Sequence, residues 1–384
     1  MNLSLSDEQE FLREAARGAL SRVKTLEAAR EALDGGAPLP DLWPMAKEAG
    51  WPGLLIDEAH GGAGLDAFDA MLVLGECGRV LASVALLGHL PATAILNDSS
   101  GVAKDLLDAL ASGERRAAYL PVRPPDDLSE LWTLDPAHGL GRPSALSAIR
   151  DGSANGGSPA AKARVSGQLS FVPDAPGAGV LAGVALLDGQ PTGIVIDSSA
   201  PEVSIEAVQG YDATRSLGHI TLNDAPATVL DATVESLASA WHLAQALLAA
   251  ESLGSVETAL EVSVAYAKER HTFGRAIGSY QAVKHSLTEV LRQLENGRSL
   301  LYYAGWSRHG APGEFPLAAS AARSVSGRAL DQAARTMISV HGGIGATWEH
   351  DAPLYFRRAQ LSRRLLGGTA GATDRVAGEL ISQA

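Results

Sequence analysis

Residues 265–285 read AYAKERHTFGRAIGSYQAVKH, and this stretch leads from a long alanine-rich helix into a turn. The helical pattern ends near His271, and Arg270 then faces a turn that contains Gly274 and Gly278. An arginine fork suits a pyrophosphate group, and Phe273 offers an apolar face beside it. The residues alone leave a second interpretation open, in which Arg270 only compensates the dipole at a helix C-terminus.

A glycine-rich stretch, VHGGIGATWEHD, occupies residues 340–351. Its glycines Gly342, Gly343 and Gly345 allow the backbone to approach a ligand closely. A nicotinamide-binding fingerprint is the obvious alternative, but that fingerprint follows a strand and opens a helix within a βαβ unit. Here the glycines follow a helical pattern and have a different spacing, which argues against a nicotinamide site.

The two stretches, in this order, resemble the acyl-CoA dehydrogenase family. The resemblance implies an FAD flavoprotein, usually a dimer of dimers, with an N-terminal α-helical domain, a middle antiparallel β-barrel-like domain and a C-terminal four-helix bundle. In the family, the segment around Arg270 binds the adenine and pyrophosphate part of an FAD held mainly by the neighbouring subunit. The resemblance assigns these positions to cofactor binding: Arg270, Thr272, Phe273, Gln281, Ser339, Gly342, Gly343 and Thr369. The family usually has glutamine where Ser339 stands.

The 384 residues show three regions by pattern, which indicates an α+β multidomain protein. Residues 1–118 read as helices broken by glycine and proline turns, with residues 67–87 as one long apolar helix. Residues 119–232 show the short β-branched or alternating runs of a sheet or barrel. Residues 233–384 return to long helices. The first of these, residues 238–270, is apolar nearly all round, so we expect it to be buried, in part against another subunit.

Composition narrows the class of protein. A net charge of −13 argues against nucleic-acid binding, which needs a basic surface. The single cysteine, Cys77, excludes an internal disulfide and a cysteine-built metal site, and we predict no metal. The N-terminus has no basic segment before an apolar core, and no run approaches ~18 apolar residues, so we expect a cytoplasmic protein without a membrane span. Ser6 and Gln9 predict a capping box that starts the first helix.

The family's reaction implies a catalytic acid that is missing from its usual place. The reaction is α,β-dehydrogenation of an acyl-CoA thioester, in which a carboxylate removes the α proton and the β hydrogen leaves as hydride to the flavin. Most members carry the carboxylate in a Glu-Gly-Thr segment after the last bundle helix. The matching residues here are Gly367, Gly368 and Thr369. Gly367 cannot abstract a proton, although its backbone N–H could still donate to a thioester oxygen.

A branched-chain subset of the family places its glutamate on the first long bundle helix, at a position that matches Ala244. Both known positions therefore lack an acid. Glu251 is seven residues further along, on the same helix face and displaced by ~10 Å. Two interpretations remain for Glu251: a relocated catalytic base, or a structural carboxylate paired with an arginine of the bundle.

The middle region also departs from the family pattern. Residues 121–127 read PVRPPDD where the family usually has Thr-Glu-Pro-Gly-Ala-Gly-Ser-Asp. Residues 171–174 read FVPD where Trp-Ile-Thr-Asn contacts the flavin ring. Because proline has neither an N–H nor a hydroxyl group, Pro173 cannot reproduce the threonine's hydrogen bond to the flavin.

The sequence thus resembles the non-catalytic subunits of actinobacterial heterotetrameric acyl-CoA dehydrogenases, several of which act on steroid side-chain thioesters. The resemblance implies that this chain completes a catalytic partner's FAD site, with an acyl-CoA thioester as substrate and electron-transfer flavoprotein as electron acceptor. Two alternatives remain. One is a self-sufficient acyl-CoA dehydrogenase, a homo-oligomer with Glu251 as base. The other is a flavin hydroxylase of the same fold, which needs no such base.

Overall fold

The computed structural model describes residues 4–33, 39–100, 102–120, 145–151 and 161–382. The departure noted at residues 121–127 lies outside these ranges. Within them, helices occupy both ends of the chain and strands occupy the middle. This is the predicted fold class, and the three domain boundaries given above remain predictions.

Six helices form the N-terminal part. They are α1 (Asp7–Leu20), α2 (Thr25–Leu33), α3 (Trp43–Glu48), α4 (Ala67–Arg79), α5 (Leu86–Asn97) and α6 (Lys104–Ala111). The capping box predicted at the start of α1 is present, because Ser6 and Gln9 bond each other's backbone N–H groups at 3.2 Å.

The single helix predicted over residues 67–87 is wrong, because the chain turns between α4 and α5. Leu81 and Ala85 have left-handed backbone conformations, with φ of 53° and 62°. Two carbonyl groups freed at this break accept hydrogen bonds from the C-terminal part of the chain. Tyr355 Oη donates to the Arg79 carbonyl, and Arg358 Nη2 donates to the Leu81 carbonyl at 3.4 Å. Tertiary partners therefore stabilise an interruption that the apolar sequence does not show.

The middle part is a closed barrel. Its strands are β1 (Ala117–Leu120), β2 (Ser147–Arg150), β3 (Lys162–Pro173), β4 (Val180–Leu187), β5 (Gln190–Asp197), β6 (Val203–Ala207) and β7 (Leu217–Val229). Neighbouring strands follow the order β4-β2-β3-β7-β5, and β5 pairs with β4 again to close the ring; β1 and β6 pair at its outside. The pairing is antiparallel as predicted, except that β1 and β2 each run parallel to β4.

The C-terminal part contains α7 (Val234–Glu269), α8 (Gln281–Gly310), α9 (Phe315–His341), α10 (Ala352–Ser362) and α11 (Gly368–Ser382), with the short strands β8 (His271–Thr272) and β9 (Arg275–Ala276) after α7. Helix α7 has 36 residues and is ~54 Å long. Within the described ranges, no helix combines the length and the hydropathy that crossing a bilayer requires.

Helix α7 is buried by other parts of its own chain, which explains its apolar sequence. Glycines let α4 and α7 pack backbone to backbone. A Cβ at Gly78 would lie 1.9 Å from the Glu251 carbonyl oxygen, and a Cβ at Gly254 would lie 1.9 Å from the Gly75 carbonyl oxygen. The central part of α7 is therefore covered by the N-terminal helices, so its burial by itself gives no evidence of a second subunit.

A buried histidine links α5 to the barrel. His89 is fully buried; its Nε2 lies 3.2 Å from the Pro52 carbonyl oxygen, and its Nδ1 accepts from the Ala117 N–H at 3.0 Å. These contacts require a neutral ring, because an Nδ1 that accepts a hydrogen bond carries no proton. Burial lowers the pKa of His89 to about 4.

The shifted pKa predicts a specific loss of stability in acid. Between pH ~6.5 and pH 4 the unfolded chain protonates His89 and the folded chain does not, so the free energy of unfolding falls by up to ~3 kcal/mol from this residue. Urea denaturation at pH 7 and pH 4 should show a smaller pH effect for His89→Gln than for the wild type. His285→Gln, at an exposed site on α8, is the control and should keep the wild-type pH effect. An unchanged pH effect in His89→Gln would contradict this assignment.

Candidate functional site

The arginine-glycine stretch forms an exposed hairpin at the end of α7. Strands β8 and β9 pair through a two-residue turn, Phe273-Gly274, whose φ angles are 50° and 80°. Two successive positive φ angles are the signature of a type I′ turn, which matches the twist of a hairpin. The Phe273 side chain is 92% exposed. A large apolar side chain is thus held away from the rest of the described chain, in a backbone conformation that a phenylalanine rarely adopts.

Contacts with the residues that follow it in the chain hold the hairpin in place. The guanidinium of Arg275 lies 4.0 Å from the centre of the Tyr280 ring, and Tyr280 Oη donates to the Thr272 carbonyl at 3.2 Å. The Ile277 N–H donates to the Arg270 carbonyl at 2.8 Å. The Arg270 side chain is exposed, and no hydrogen bond or ion pair joins its guanidinium to a residue in the described ranges. The arrangement presents an unengaged cation next to an exposed aromatic ring.

The glycine-rich loop lies beside this hairpin. Gly342 ends α9 with φ of 64°, and a Cβ at Gly345 would lie 2.7 Å from the Ile338 carbonyl oxygen. The His341 ring stacks on Tyr266 of α7, with 4.3 Å between ring centres, which brings the loop to the end of α7. One exposed surface, called the rim here, therefore contains seven of the predicted residues: Arg270, Thr272, Phe273, Gln281, Ser339, Gly342 and Gly343.

The other predicted residues lie far from the rim. Thr369 contacts Gly327 on α9 so closely that a Cβ at Gly327 would lie 2.1 Å from Thr369 Cγ2. Gly327 precedes His341 by fourteen residues, or ~20 Å along the helix. Glu251 precedes Arg270 by nineteen residues on α7, or ~28 Å. The predicted site residues therefore fall into two groups: the rim, and an interior part that contains Thr369 and Glu251.

The turn that lacks the acid has a backbone suited to glycine. Leu366, Gly367 and Gly368 have φ angles of 52°, 80° and 74°. Gln245 Nε2 donates to the Leu366 carbonyl at 3.0 Å, and Arg323 Nη2 donates to the Leu365 carbonyl at 3.3 Å. At a φ of 80° any side chain at position 367 would be strained, so the turn conformation itself favours the glycine.

Glu251 lies in a buried ion-pair network. Its Oε1 accepts from Arg358 Nη1 at 2.9 Å, and its Oε2 accepts from Arg215 Nη2. Glu251 is 2% exposed, and the two arginines are 1% and 6% exposed. Each carboxylate oxygen accepts from a guanidinium group, so two arginines hold Glu251 in place. This geometry corresponds to the structural interpretation given above, with Arg358 as the arginine from the C-terminal part.

The network continues into the barrel domain. Arg358 Nε donates to Asp212 Oδ2 at 2.7 Å, and Arg358 Nη2 donates to the Thr214 carbonyl and hydroxyl oxygens, both at 2.7 Å. Burial alone would raise the pKa of Asp212, but Arg358 and the Thr214 hydrogen bonds hold that pKa below its usual value. One guanidinium therefore joins α7, α10 and the segment before β7.

Residues 171–174, which match the family's ring-contacting segment, pack on α5. Asp174 is 2% exposed, and its Oδ2 accepts from the Gly88 N–H at 2.8 Å. A Cβ at Gly88 would lie 2.8 Å from the Pro173 carbonyl oxygen, so the two backbones are in direct contact. The Asp174 carboxylate is engaged, and Pro173 provides no donor.

Two sequence models of one family match the chain. They are "Acyl-CoA dehydrogenase, N-terminal domain", over residues 6–121, and "Acyl-CoA dehydrogenase, C-terminal domain", over residues 236–380. The chain belongs to the acyl-CoA dehydrogenase family. This family uses FAD, and the two parts of the site fit FAD differently. The rim offers an exposed guanidinium and glycine backbone, which suit phosphate groups. The interior segment at Pro173 lacks donors for a flavin ring.

Acyl-CoA dehydrogenases of actinobacteria are among the similar proteins. Acyl-CoA dehydrogenase FadE34 of Mycobacterium tuberculosis is 30% identical over 380 residues, which cover 96% of this chain but 47% of FadE34; the chain thus spans about half the length of that relative. Acyl-CoA dehydrogenase IpdE2 of Mycolicibacterium smegmatis is 28% identical, with 94% and 96% covered. A solved structure of a variant of the Tcur3481-Tcur3483 steroid ACAD is 26% identical, covers 99% of both chains and has a TM-score of 0.82.

The sequence did not reveal the ion-pair network around Glu251 within this acyl-CoA dehydrogenase fold. Arg215, Asp212 and Arg358 carry no motif, and they are 36, 39 and 107 residues from Glu251. The available signal was indirect: a glutamate inside the apolar helix α7 needs a cationic partner, since a buried unpaired charge is costly. That argument predicts an arginine without saying which one.

Removal of the Glu251 charge should destabilise the protein strongly. Glu251→Gln leaves Arg215 and Arg358 buried with an amide between them, so the free energy of unfolding should fall by ~3–5 kcal/mol. Glu295→Gln is a matched control, because Glu295 pairs with Arg298 at an exposed position on α8 and should cost less than ~1 kcal/mol. Urea denaturation of both variants measures the difference. Equal stability of the two variants would contradict a structural role for the network.

Proposed function

We propose that this chain is the subunit of a heteromeric acyl-CoA dehydrogenase that completes the FAD site of a catalytic partner. The observation that supports this role most directly is the difference between the two parts of its site. The rim is exposed and its cation is unengaged, whereas the interior residues are bonded to one another. A chain with an exposed, unengaged rim and an interior whose residues bond one another is suited to contribute its rim to a site on another subunit.

The rim provides the groups that a neighbouring subunit's cofactor needs. The guanidinium of Arg270 would bond the pyrophosphate in a charge-assisted way, and Phe273 would cover an apolar face. The hairpin is preformed by its type I′ turn and by the Arg275–Tyr280 contact, so little conformational entropy is lost when it engages a partner. The glycine backbone at 342–345 would allow close approach.

The interior lacks the group that removes the α proton of an acyl-CoA. Abstraction of a weakly acidic proton needs a positioned, unpaired carboxylate. Gly367 has no side chain, and Glu251 has both oxygens bonded to arginines. Under this proposal the partner supplies the carboxylate that takes the α proton. FAD supplies the acceptor for the β hydride, and electron-transfer flavoprotein would then receive the electrons.

The substrate class follows from the family and from its similar structures. We propose an acyl-CoA thioester from fatty-acid or steroid side-chain degradation, because the solved structure with 26% identity is described as a steroid ACAD and carries the names of two proteins. The competing role of Glu251 as a relocated base is separable by experiment. Glu251→Gln should retain turnover per folded complex if the partner supplies the base, and should abolish it if Glu251 does.

Flavin content tests the proposal first. The chain purified alone should carry little FAD, because Pro173 and the Asp174–Gly88 contact leave its own ring-contacting segment without donors. Co-expression with a catalytic acyl-CoA dehydrogenase chain of the same genome should give a yellow complex that bleaches on anaerobic addition of its acyl-CoA. Visible absorbance of both preparations is the measurement. A yellow protein that bleaches without a second chain would overturn the proposal.

A substitution on the rim tests the contact between subunits. Arg270→Ala should weaken FAD binding by the assembled complex about tenfold to a hundredfold, the range expected for lost charged hydrogen bonds. Arg292→Ala is the matched control, since Arg292 is equally exposed but bonds only Glu289 on its own helix. FAD titration of the apo-complexes gives both affinities. Equal affinity in Arg270→Ala and Arg292→Ala would remove Arg270 from the site.

A further inference from the structure

A cavity of about 690 Å³ lies between the N-terminal helices and the barrel, away from the rim. This size suits a small molecule. One side of the cavity is apolar and is formed by residues from the end of α2, the segment before α3 and the loops at β3 and β6. These residues are Ala32, Leu33, Leu39, Pro40, Pro176 and Val208. The other side is polar and contains Arg116 and Arg215.

Each of these arginines has a buried Nε that bonds no acceptor in the described part of the chain. Arg215 is 6% exposed, and only its Nη2 is engaged, by Glu251. Arg116 lies with its Nη1 3.4 Å from Asp41 and its guanidinium 5.4 Å from the Trp43 ring centre, and its Nε is unbonded. Buried guanidinium N–H groups without acceptors are costly, so two of them at one cavity indicate a ligand that accepts hydrogen bonds.

Asp41, Asp174 and Asp212 are the carboxylates among the described lining residues, and none of them bonds either Nε; Asp41 lies near Arg116 Nη1 instead. Asp212 is engaged by Arg358 at 2.7 Å. Asp174 accepts from the Gly88 N–H, and burial raises its pKa, while Arg215 and Arg116 both act against that rise. Both guanidinium groups are therefore close enough to the Asp174 carboxyl group to lower its pKa.

A third buried guanidinium, that of Arg323, lies near Arg215. Arg323 is fully buried and donates only to backbone carbonyls at 362 and 365, and no carboxylate in the described ranges forms an ion pair with it. Burial and the nearby Arg215 lower the pKa of Arg323 to about 10. Three guanidinium groups, those of Arg215, Arg323 and Arg358, thus lie in one cluster with the carboxylates of Glu251 and Asp212 and the carboxyl group of Asp174, whose pKa burial raises.

We propose that this cavity binds an amphipathic monocarboxylate. Its carboxylate accepts hydrogen bonds from Arg116 and Arg215, and its apolar body lies against Leu33, Leu39 and Val208. A carboxylate is the acceptor that guanidinium groups bind most strongly. The site needs neither FAD nor a partner subunit, so it stands apart from the function proposed above and can be tested on the chain alone.

Calorimetric titration with sodium decanoate tests the site, with decanol as the uncharged analogue. Decanoate should bind saturably, one per chain, and decanol at least tenfold more weakly. Arg116→Gln should weaken decanoate binding about tenfold or more. Arg150→Gln, on an exposed strand of the same domain, is the matched control and should bind as the wild type does. Equal binding of decanoate and decanol, or unchanged binding in Arg116→Gln, would overturn the proposal.

A second variant and a second ligand complete the test. Ala32→Phe narrows the cavity from its apolar side without touching an arginine, so it should abolish binding while circular dichroism shows a folded protein. The carboxylate can belong to a free acid or to the far end of a dicarboxylic acyl-CoA, and the monothioester of sebacic acid with CoA distinguishes the two. Binding of decanoate supports a free acid. If only the thioester binds, and Arg116→Gln abolishes that binding, the carboxylate belongs to a dicarboxylic acyl-CoA. Binding of neither overturns the proposal.

Discussion

The buried guanidinium of Arg358 is the contact on which the arrangement of the whole chain depends. It donates to Glu251 of α7, to Asp212 and Thr214 before β7, and to the carbonyl at the break between α4 and α5. All three parts of the chain therefore meet at one side chain. Such a network is costly to bury, and its members hold one another in place because each unpaired charge would cost still more. The interior thus favours one relative placement of helices and barrel.

The same network explains why the interior is ill suited to acid–base chemistry. A catalytic carboxylate must be free to accept a proton, whereas a carboxylate that joins domains must be saturated with donors. Glu251 has both oxygens bonded to arginines, and the turn at Gly367 has a positive φ at which a side chain would be strained. The rim, by contrast, lies at the far end of α7, ~28 Å away, where it makes few contacts with the rest of the chain. A subunit can therefore lose one function and keep the other.

Local features of the chain were predictable because they depend on neighbouring residues. The capping box at Ser6, the long helices α7 to α9 and the turn at Gly274 follow from side chains a few positions apart. The interruption between α4 and α5 was not predictable, since the hydrogen bonds that stabilise it come from Tyr355 and Arg358. The expectation of a second subunit around α7 stays a prediction, because periodicity shows that a face is buried but not what buries it.

Two motifs, near Arg270 and Gly342, identified the family, and the residue list shows that no acid stands at position 367. These are statements about which residues are present, and they need no coordinates. The fold, by contrast, set the hydrogen-bond partners of Glu251, because it brought Arg215 and Arg358 to it from 36 and 107 residues away. It also placed the unbonded Nε groups of Arg116 and Arg215 at one cavity. Whether a charged group is free or engaged depends on long-range contacts, which local sequence patterns do not encode.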